Sequence, residues 1–277
     1  MPTAKVNGVS LYYEVTGEGF PLVFSHEFAG TYKSWEPQVR FFSRRYQVIT
    51  YNHRGFPPSE VPEETNAYSQ DILVEDLYQL LRHLGIREAY VAGCSMGGNI
   101  ALNFGLAHPE MTRALIIVAT GAGTTDREIF QTKLEDMARQ VEREGWRAVA
   151  ERYAYEPNRV QLWRKDPRGW REFVDELAAH SAEGSARIIR EVILKRPPIS
   201  ALELKLKELK IPALIMVGDE DDMCLAPALI MKQHMPGAGL LVFPQAGHAI
   251  NLEEPDIFNR AVLDFLTAVE AGKWVVR

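Results

Sequence analysis

The sequence predicts an α/β fold in which a mostly parallel sheet is covered by helices on both faces. Three observations carry this. Short, nearly all-apolar runs alternate with amphipathic ones up to about residue 121, the same rhythm returns after residue 201, and the stretch between holds no convincing strand. Strands buried on both faces read as continuous apolar runs, whereas a sheet wet on one side alternates.

The elements follow in order. Lys5-Val6 and Val9 to Val15 flank Asn7-Gly8, a hairpin turn signal. Pro21 to Phe24 and Gln47 to Tyr51 are buried-strand runs, and Thr31 to Arg45 between them reads as an amphipathic helix. Tyr68 to Leu84 is a clearer helix, with Ile72, Leu73, Leu77, Leu80, Leu81 and Leu84 on one face and Gly85 ending it. Ala89 to Ala92 (strand), a helix running to His108-Pro109, and Ala114 to Ala119 (strand) complete the first part. After the break come Ile211 to Val217 (strand), Ala226 to Met235 (helix), Leu240 to Phe243 (strand) and Ile257 to Val269 (helix).

Residues 122–200 are expected to form a helical lobe inserted between two strands of a core built from 1–121 and 201–277. Charged amphipathic helices there are broken at Gly145, Pro157, Pro167, Gly184 and Pro197-Pro198. The rival reading assigns these helices to the main domain. Trp146, Trp163, Trp170, Tyr153 and Tyr155 are expected chiefly to form the lobe's own small core, with a pocket-lining role as the alternative. Arg159, Arg164, Arg168 and Arg171 are expected on a solvated face rather than at a substrate carboxylate.

Composition narrows the function. The chain has 277 residues, is 46% hydrophobic and carries a net charge of −6, enough for a large core and without the basic footprint of a nucleic-acid or anionic-membrane binder. Its N-terminus lacks an apolar signal core, and no window approaches about 18 apolar residues, so a soluble, cytoplasmic protein is expected. Two cysteines, Cys94 and Cys224, are too few for a disulfide framework, and Cys94 reads as a small buried hydrophobe. No His, Cys and carboxylate cluster has metal-ligand spacing, so neither metal nor cofactor is expected.

The chemistry centres on Gly93-Cys94-Ser95-Met96-Gly97, set between a strand-like and a helix-like run. A serine there sits in a tight strand-to-helix turn that lifts its hydroxyl clear of the backbone, and small neighbours let strand and helix pass closely. A serine hydroxyl is a poor nucleophile at neutral pH, so it needs a base within reach and a carboxylate to orient that base. Of the seven histidines, His248 in Gly247-His248 follows the last strand, at the sheet end where parallel α/β folds gather ligands. The acid is sought after Ile211 to Val217, in Gly218-Asp219-Glu220-Asp221-Asp222. Asp221, three residues after the glycine, is the first choice and Asp222 the second. The oxyanion of a tetrahedral intermediate needs N–H donors. The Met96 amide, next to the serine, is one candidate, and the Phe28 amide in the loop after Phe24 is the other.

With these landmarks the chain resembles the α/β-hydrolase superfamily over nearly its whole length. The matching segments are the serine turn Gly93 to Gly97, Gly218 to Asp221, Gly247-His248, Asn52-His53-Arg54-Gly55-Phe56 and Asn251 to Pro255, in the family's order of serine, acid and histidine. It departs from the family in His26-Glu27, where His-Gly is usual, in Asn52 for aspartate, and in Pro57-Pro58 for a glycine-containing turn. The resemblance implies an α/β-hydrolase fold with an inserted helical cap, and a hydrolase of carboxylic esters or lactones, small molecules, working through an acyl-enzyme. Two alternatives stay open within the fold: a C–C bond hydrolase, or a cofactor-free haloperoxidase or perhydrolase. Another is a ligand receptor on the same scaffold with little turnover. Oligomeric state is not legible.

Overall fold

A computed structural model describes residues 2–277. The strands are β1 Thr3–Val6, β2 Val9–Thr16, β3 Phe20–Ser25, β4 Tyr46–Tyr51, β5 Ala89–Cys94, β6 Thr112–Val118, β7 Ala213–Gly218 and β8 Ala238–Phe243. They form one eight-stranded sheet in the order β1-β2-β4-β3-β5-β6-β7-β8. β1–β2 and β2–β4 pair antiparallel, and the rest are parallel. Asn7 and Gly8, both at positive φ, make the tight turn between β1 and β2.

In the first half the helices are α1 Glu36–Phe42, α2 Gln70–His83 and α3 Met96–Ala107. Between β6 and β7 lie α4 Arg127–Glu144, α5 Trp146–Ala154, α6 Val160–Lys165, α7 Pro167–Leu177, α8 Ala182–Arg187 and α9 Glu203–Glu208, with a π-turn over Ile188–Ile193. α10 Asp222–His234, α11 Ile250–Glu253 and α12 Pro255–Glu270 follow. The sequence dictates α2 well: the Ser69 hydroxyl accepts from the Ile72 amide as N-cap, Asp71 is in the first turn, and Arg82 and His83 are in the last. Leu73, Leu77, Leu80 and Leu81 are its fully buried stripe. The apolar side chains divide into two clusters. Val23, Val91, Leu115 and Ile215 belong to the one with α2, α3 and the helices between β6 and β7, and Leu22, Phe24, Tyr90 and Ile116 to the one with α1 and α12. None of the described helices is long and apolar enough to cross a membrane.

The chain passes from β3 outward to β4, then back across to β5 on the other side. The neighbouring carboxyl ends of β3 and β5 therefore flank a topological switch point, where open α/β sheets leave a crevice.

Some expected boundaries move. The helix placed at 31–45 is a 3₁₀ turn, Tyr32–Trp35, followed by the short α1. The helix placed from Ala226 starts one turn earlier, at Asp222, and carries Pro227 inside it at the cost of an intrahelical bond. Gly184 does not break a helix. It lies within α8, where a β-carbon would stand 2.2 Å from the Gly55 carbonyl, so a close approach between segments selects the glycine. Arg159 is not on a solvated face: it is buried.

Candidate active site

The serine turn is a backbone strained by packing on three sides. Ser95 has φ 54° and ψ −109°, a region that a residue with a β-carbon seldom adopts. Its amide donates to the Val118 carbonyl at 2.8 Å, fastening the turn to β6. A β-carbon on Gly93 would lie 2.2 Å from the Gly97 carbonyl oxygen, and one on Gly97 would lie 2.1 Å from that of Ser25. The glycines thus let α3 start directly over the end of β3, which places the serine beside the loop His26–Gly30.

That loop is shaped by His26. Its Nε2 accepts from the His53 amide at 3.2 Å, so Nδ1 carries the proton and donates to the Glu27 carbonyl at 2.7 Å. Burial lowers the His26 pKa to about 4, despite the bond to that carbonyl, and the ring stays neutral. The Phe28 and Met96 amides donate to no protein acceptor among the described residues, and Phe28 and Ser95 line one cavity. Met96 also opens α3, whose N-terminal dipole favours negative charge.

His248 and Asp221 meet across the ends of β8 and β7. Nδ1 of His248 and Oδ2 of Asp221 are 2.7 Å apart, and both side chains are buried. Burial alone would raise the Asp221 pKa, but the imidazole and the hydrogen bonds it receives hold it below the usual carboxylate range. Asp222, the second choice, is exposed as the first residue of α10, so its carboxylate does not share this contact. Asp219 accepts from the Ala246 amide, and Glu220 from Gln161.

Two neighbours hold the pair in place: Asn158, which belongs to no motif, and Glu253, within the Asn251 to Pro255 segment. Asn158, just before α6, takes the His248 amide on its carbonyl at 2.8 Å and donates from Nδ2 to Asp221 Oδ1 at 3.3 Å. Glu253 accepts from the Gly247 and Ala249 amides at 2.7 and 3.0 Å, clamping the loop on both sides of His248. Its pKa is raised by burial.

Ser95 and His248 line the same cavity, of about 70 Å³. The serine hydroxyl makes no hydrogen bond among the described residues, His248 included. The Glu27 carboxylate also lies beside the free ring nitrogen, with Oε2 3.9 Å from Nε2. Glu27 is itself gripped by Arg159, whose Nη2 and Nη1 reach its two oxygens at 2.6 and 3.3 Å. Both side chains are about 95% buried, and the Arg159 guanidinium lies 4.5 Å from the Tyr153 ring centroid. Burial acts against the Glu27 charge, but Arg159 and then His248 outweigh it and keep the carboxylate ionised.

Asp221, Cys224 and His248 also bring three possible metal-ligand atoms within 4.8 Å of one another, a juxtaposition that sequence spacing does not reveal. The imidazole and carboxylate spend those atoms on each other, and burial raises the thiol pKa, keeping Cys224 protonated and donating to the Ala119 carbonyl. Cys94 is likewise buried, with its thiol pKa pushed up by burial. Trp146 and Trp170 are buried, whereas Trp163 and Tyr155 are each 43% exposed and outside the core.

Comparison with known proteins agrees with this architecture. The chain is 28% identical over 266 residues to 3-oxoadipate enol-lactonase 2 of Acinetobacter baylyi, covering 94% of each chain. It is 25% identical over 284 residues to a putative carbamate hydrolase RutD of Azorhizobium caulinodans, covering 98% of this chain and all of the relative. Among solved structures, a thermophilic esterase from Thermogutta terrifontis superposes with a TM-score of 0.87 at 26% identity, over 97% of this chain and 99% of that one. The sequence profile described as alpha/beta hydrolase fold matches residues 21–255. The chain belongs to the alpha/beta hydrolase fold family.

Proposed function

We propose that this protein is a serine hydrolase that cleaves a carboxylic ester or lactone through an acyl-enzyme. The observation that carries the reading is the buried Asp221–His248 hydrogen bond at the rim of the cavity that Ser95 also lines. An imidazole whose Nδ1–H is held by a carboxylate keeps Nε2 free to accept a proton. Ser95 Oγ adds to the substrate carbonyl while Nε2 takes the hydroxyl proton. The Phe28 and Met96 amides receive the negative oxygen, each typically worth about 10²–10³ in turnover. Collapse breaks the bond to the leaving oxygen, which takes the proton back from His248. Water then repeats the sequence on the acyl-serine and restores the hydroxyl. Nε2 must come within about 2.6–3.2 Å of Oγ, a contact that often tightens only when substrate binds.

In this reading residues 122–200 are an inserted helical cap over the core formed by 1–121 and 201–277, and Asn158 and Arg159 are among its contributions to the site. Relatives named enol-lactonase, carbamate hydrolase and esterase support hydrolysis of a carboxylic derivative. The test is Ser95→Ala. Release of p-nitrophenol from short-chain esters should fall to background in a protein with an unchanged circular dichroism spectrum, and a phosphonate probe should label Ser95 alone. Activity undiminished in that variant ends the proposal.

A further inference from the structure

The charged side chains around the Ser95 cavity do not all find a partner of opposite charge. Its three Lys and Arg side chains come from the stretch between β6 and β7: Lys133 on α4, Arg159 just before α6 and Arg196 after the π-turn. Lys133 pairs with Glu156 at 2.7 Å, and Arg159 with Glu27. Asp221 is taken by His248. Each of these carboxylates thereby has its own hydrogen-bond partner, and Arg196 pairs with none of them.

Arg196 is only 7% exposed, yet no carboxylate of the described residues reaches it. Nη2 donates to the Ala122 carbonyl at 3.2 Å, and Nη1 is buried with no partner at all. An orphaned donor on a buried cation is costly, since the group has lost water and gained nothing in exchange. Burial lowers its pKa to about 10, with Arg127 acting in the same direction, so the side chain keeps its charge at neutral pH. Buried polar groups without a partner are few in native proteins and call for an explanation, a functional role or a bound ion among them. A guanidinium presents parallel N–H donors in a fork that matches a carboxylate.

We propose that Arg196 is a specificity residue, and that the substrate is an ester or lactone carrying a second, unreacting carboxylate, which this guanidinium receives. The size of the cavity agrees. One water needs about 10–15 Å³ on the scale where the cavity has about 70 Å³, so it suits a short acyl chain rather than a fatty one. An open groove of about 650 Å³ outside α4 and α5 shares Lys133, Met137, Tyr153 and Glu156 with the cavity. The inference rests on the ester or lactone reading for its chemistry, but not for the anion site itself.

The experiment compares kcat/KM for monomethyl succinate and monomethyl glutarate with those for methyl butyrate and methyl valerate, by pH-stat, in wild type, Arg196→Met and Arg196→Lys. Binding of glutarate to Ser95→Ala and to Ser95→Ala/Arg196→Met is measured by calorimetry. Wild type should prefer the anionic esters. Arg196→Met should lower the anionic-to-neutral ratio about 10- to 100-fold, as expected for loss of a charge-assisted pair, and Arg196→Lys should restore part of it. Glutarate should bind Ser95→Ala and not the double variant. Equal use of both ester classes by wild type, together with glutarate binding that ignores position 196, overturns the proposal and leaves the hydrolase reading standing. Binding that depends on Arg196 without turnover of any ester does the reverse. If Arg196→Met does not fold, the wild-type preference, the Lys variant and glutarate binding to Ser95→Ala decide the matter.

Discussion

Replacing Glu27 and Arg159 by methionine, singly and together, probes the least ordinary contact of the site. Each side chain is about 95% buried, and each is the other's only charged hydrogen-bond partner, through contacts of 2.6 and 3.3 Å. At 2.6 Å with an effective dielectric near 20, the Coulomb attraction is on the order of 6 kcal/mol, most of it offset by desolvation of the two ions. Removing one partner leaves the other ionised, dry and unmatched. Glu27→Met and Arg159→Met should therefore each cost about 3–5 kcal/mol. The double variant removes both charges and keeps much of the volume, so it should lie within about 1–2 kcal/mol of wild type and could exceed it. Urea unfolding followed by circular dichroism at pH 7.5 measures all four proteins, and the cycle should give a coupling energy above about 3 kcal/mol. Additive losses, or single variants within about 1 kcal/mol of wild type, would show that the pair is solvated and the reasoning wrong. The Glu27 charge also faces His248 Nε2 at 3.9 Å, so Glu27→Met should lose turnover as well as stability.

Asp221→Asn should lower kcat about 10⁴-fold through loss of the imidazole tautomer while leaving the urea midpoint nearly unchanged; a loss below tenfold on ester substrates would contradict the orienting role. Gly97→Ala forces a β-carbon to 2.1 Å from the Ser25 carbonyl, so it should cost at least about 3 kcal/mol or prevent folding, and a stable, active variant would refute the close approach. Burial holds His26, His53 and His180 neutral, with pKa values of about 4 for His26 and about 3 for His180. The unfolded chain protonates them near 6.5, so stability is full above that pH and falls on acidification towards the folded values. At pH 5 the loss should be about 2 kcal/mol per histidine, offset in part by Glu253 and Asp76, whose pKa values burial raises. An unchanged urea midpoint between pH 7 and 5 would count against it. Both ring nitrogens of His180 lack partners, so His180→Leu should add about 1–3 kcal/mol at pH 7 and flatten the acid limb.

The sheet and the serine turn were legible in the sequence because their causes are local. Apolar strand runs and the spacing of Gly93, Ser95 and Gly97 act within a few residues. Asp221 and Asp222 differ only in which way the chain turns as α10 begins, so spacing could rank them, while exposure separates them. Arg159 stands in a run with Arg164, Arg168 and Arg171. Nothing local tells that it precedes α6 and turns inward to a partner 132 positions away. Glu27 was visible as an odd residue, but its partner was not. Asn158 acts partly through its backbone carbonyl, which leaves no mark on the sequence. Gly184 was misread because a glycine chosen for a tight crossing looks, in one dimension, like one chosen to stop a helix.

Asn158 has a consequence for how molecules come and go. Its carbonyl and amide are riveted to the backbone of His248 and the carboxylate of Asp221, and Arg159, Gln161 and Lys165 nearby are tied to Glu27, Glu220 and Glu254. A hinge that lifted this corner of the protein would dismantle the machinery beneath it. The Lys133–Glu156 pair, which borders both the cavity and the groove outside α4 and α5, hangs on the same segment, because the Glu156 carbonyl accepts from the Arg159 and Val160 amides.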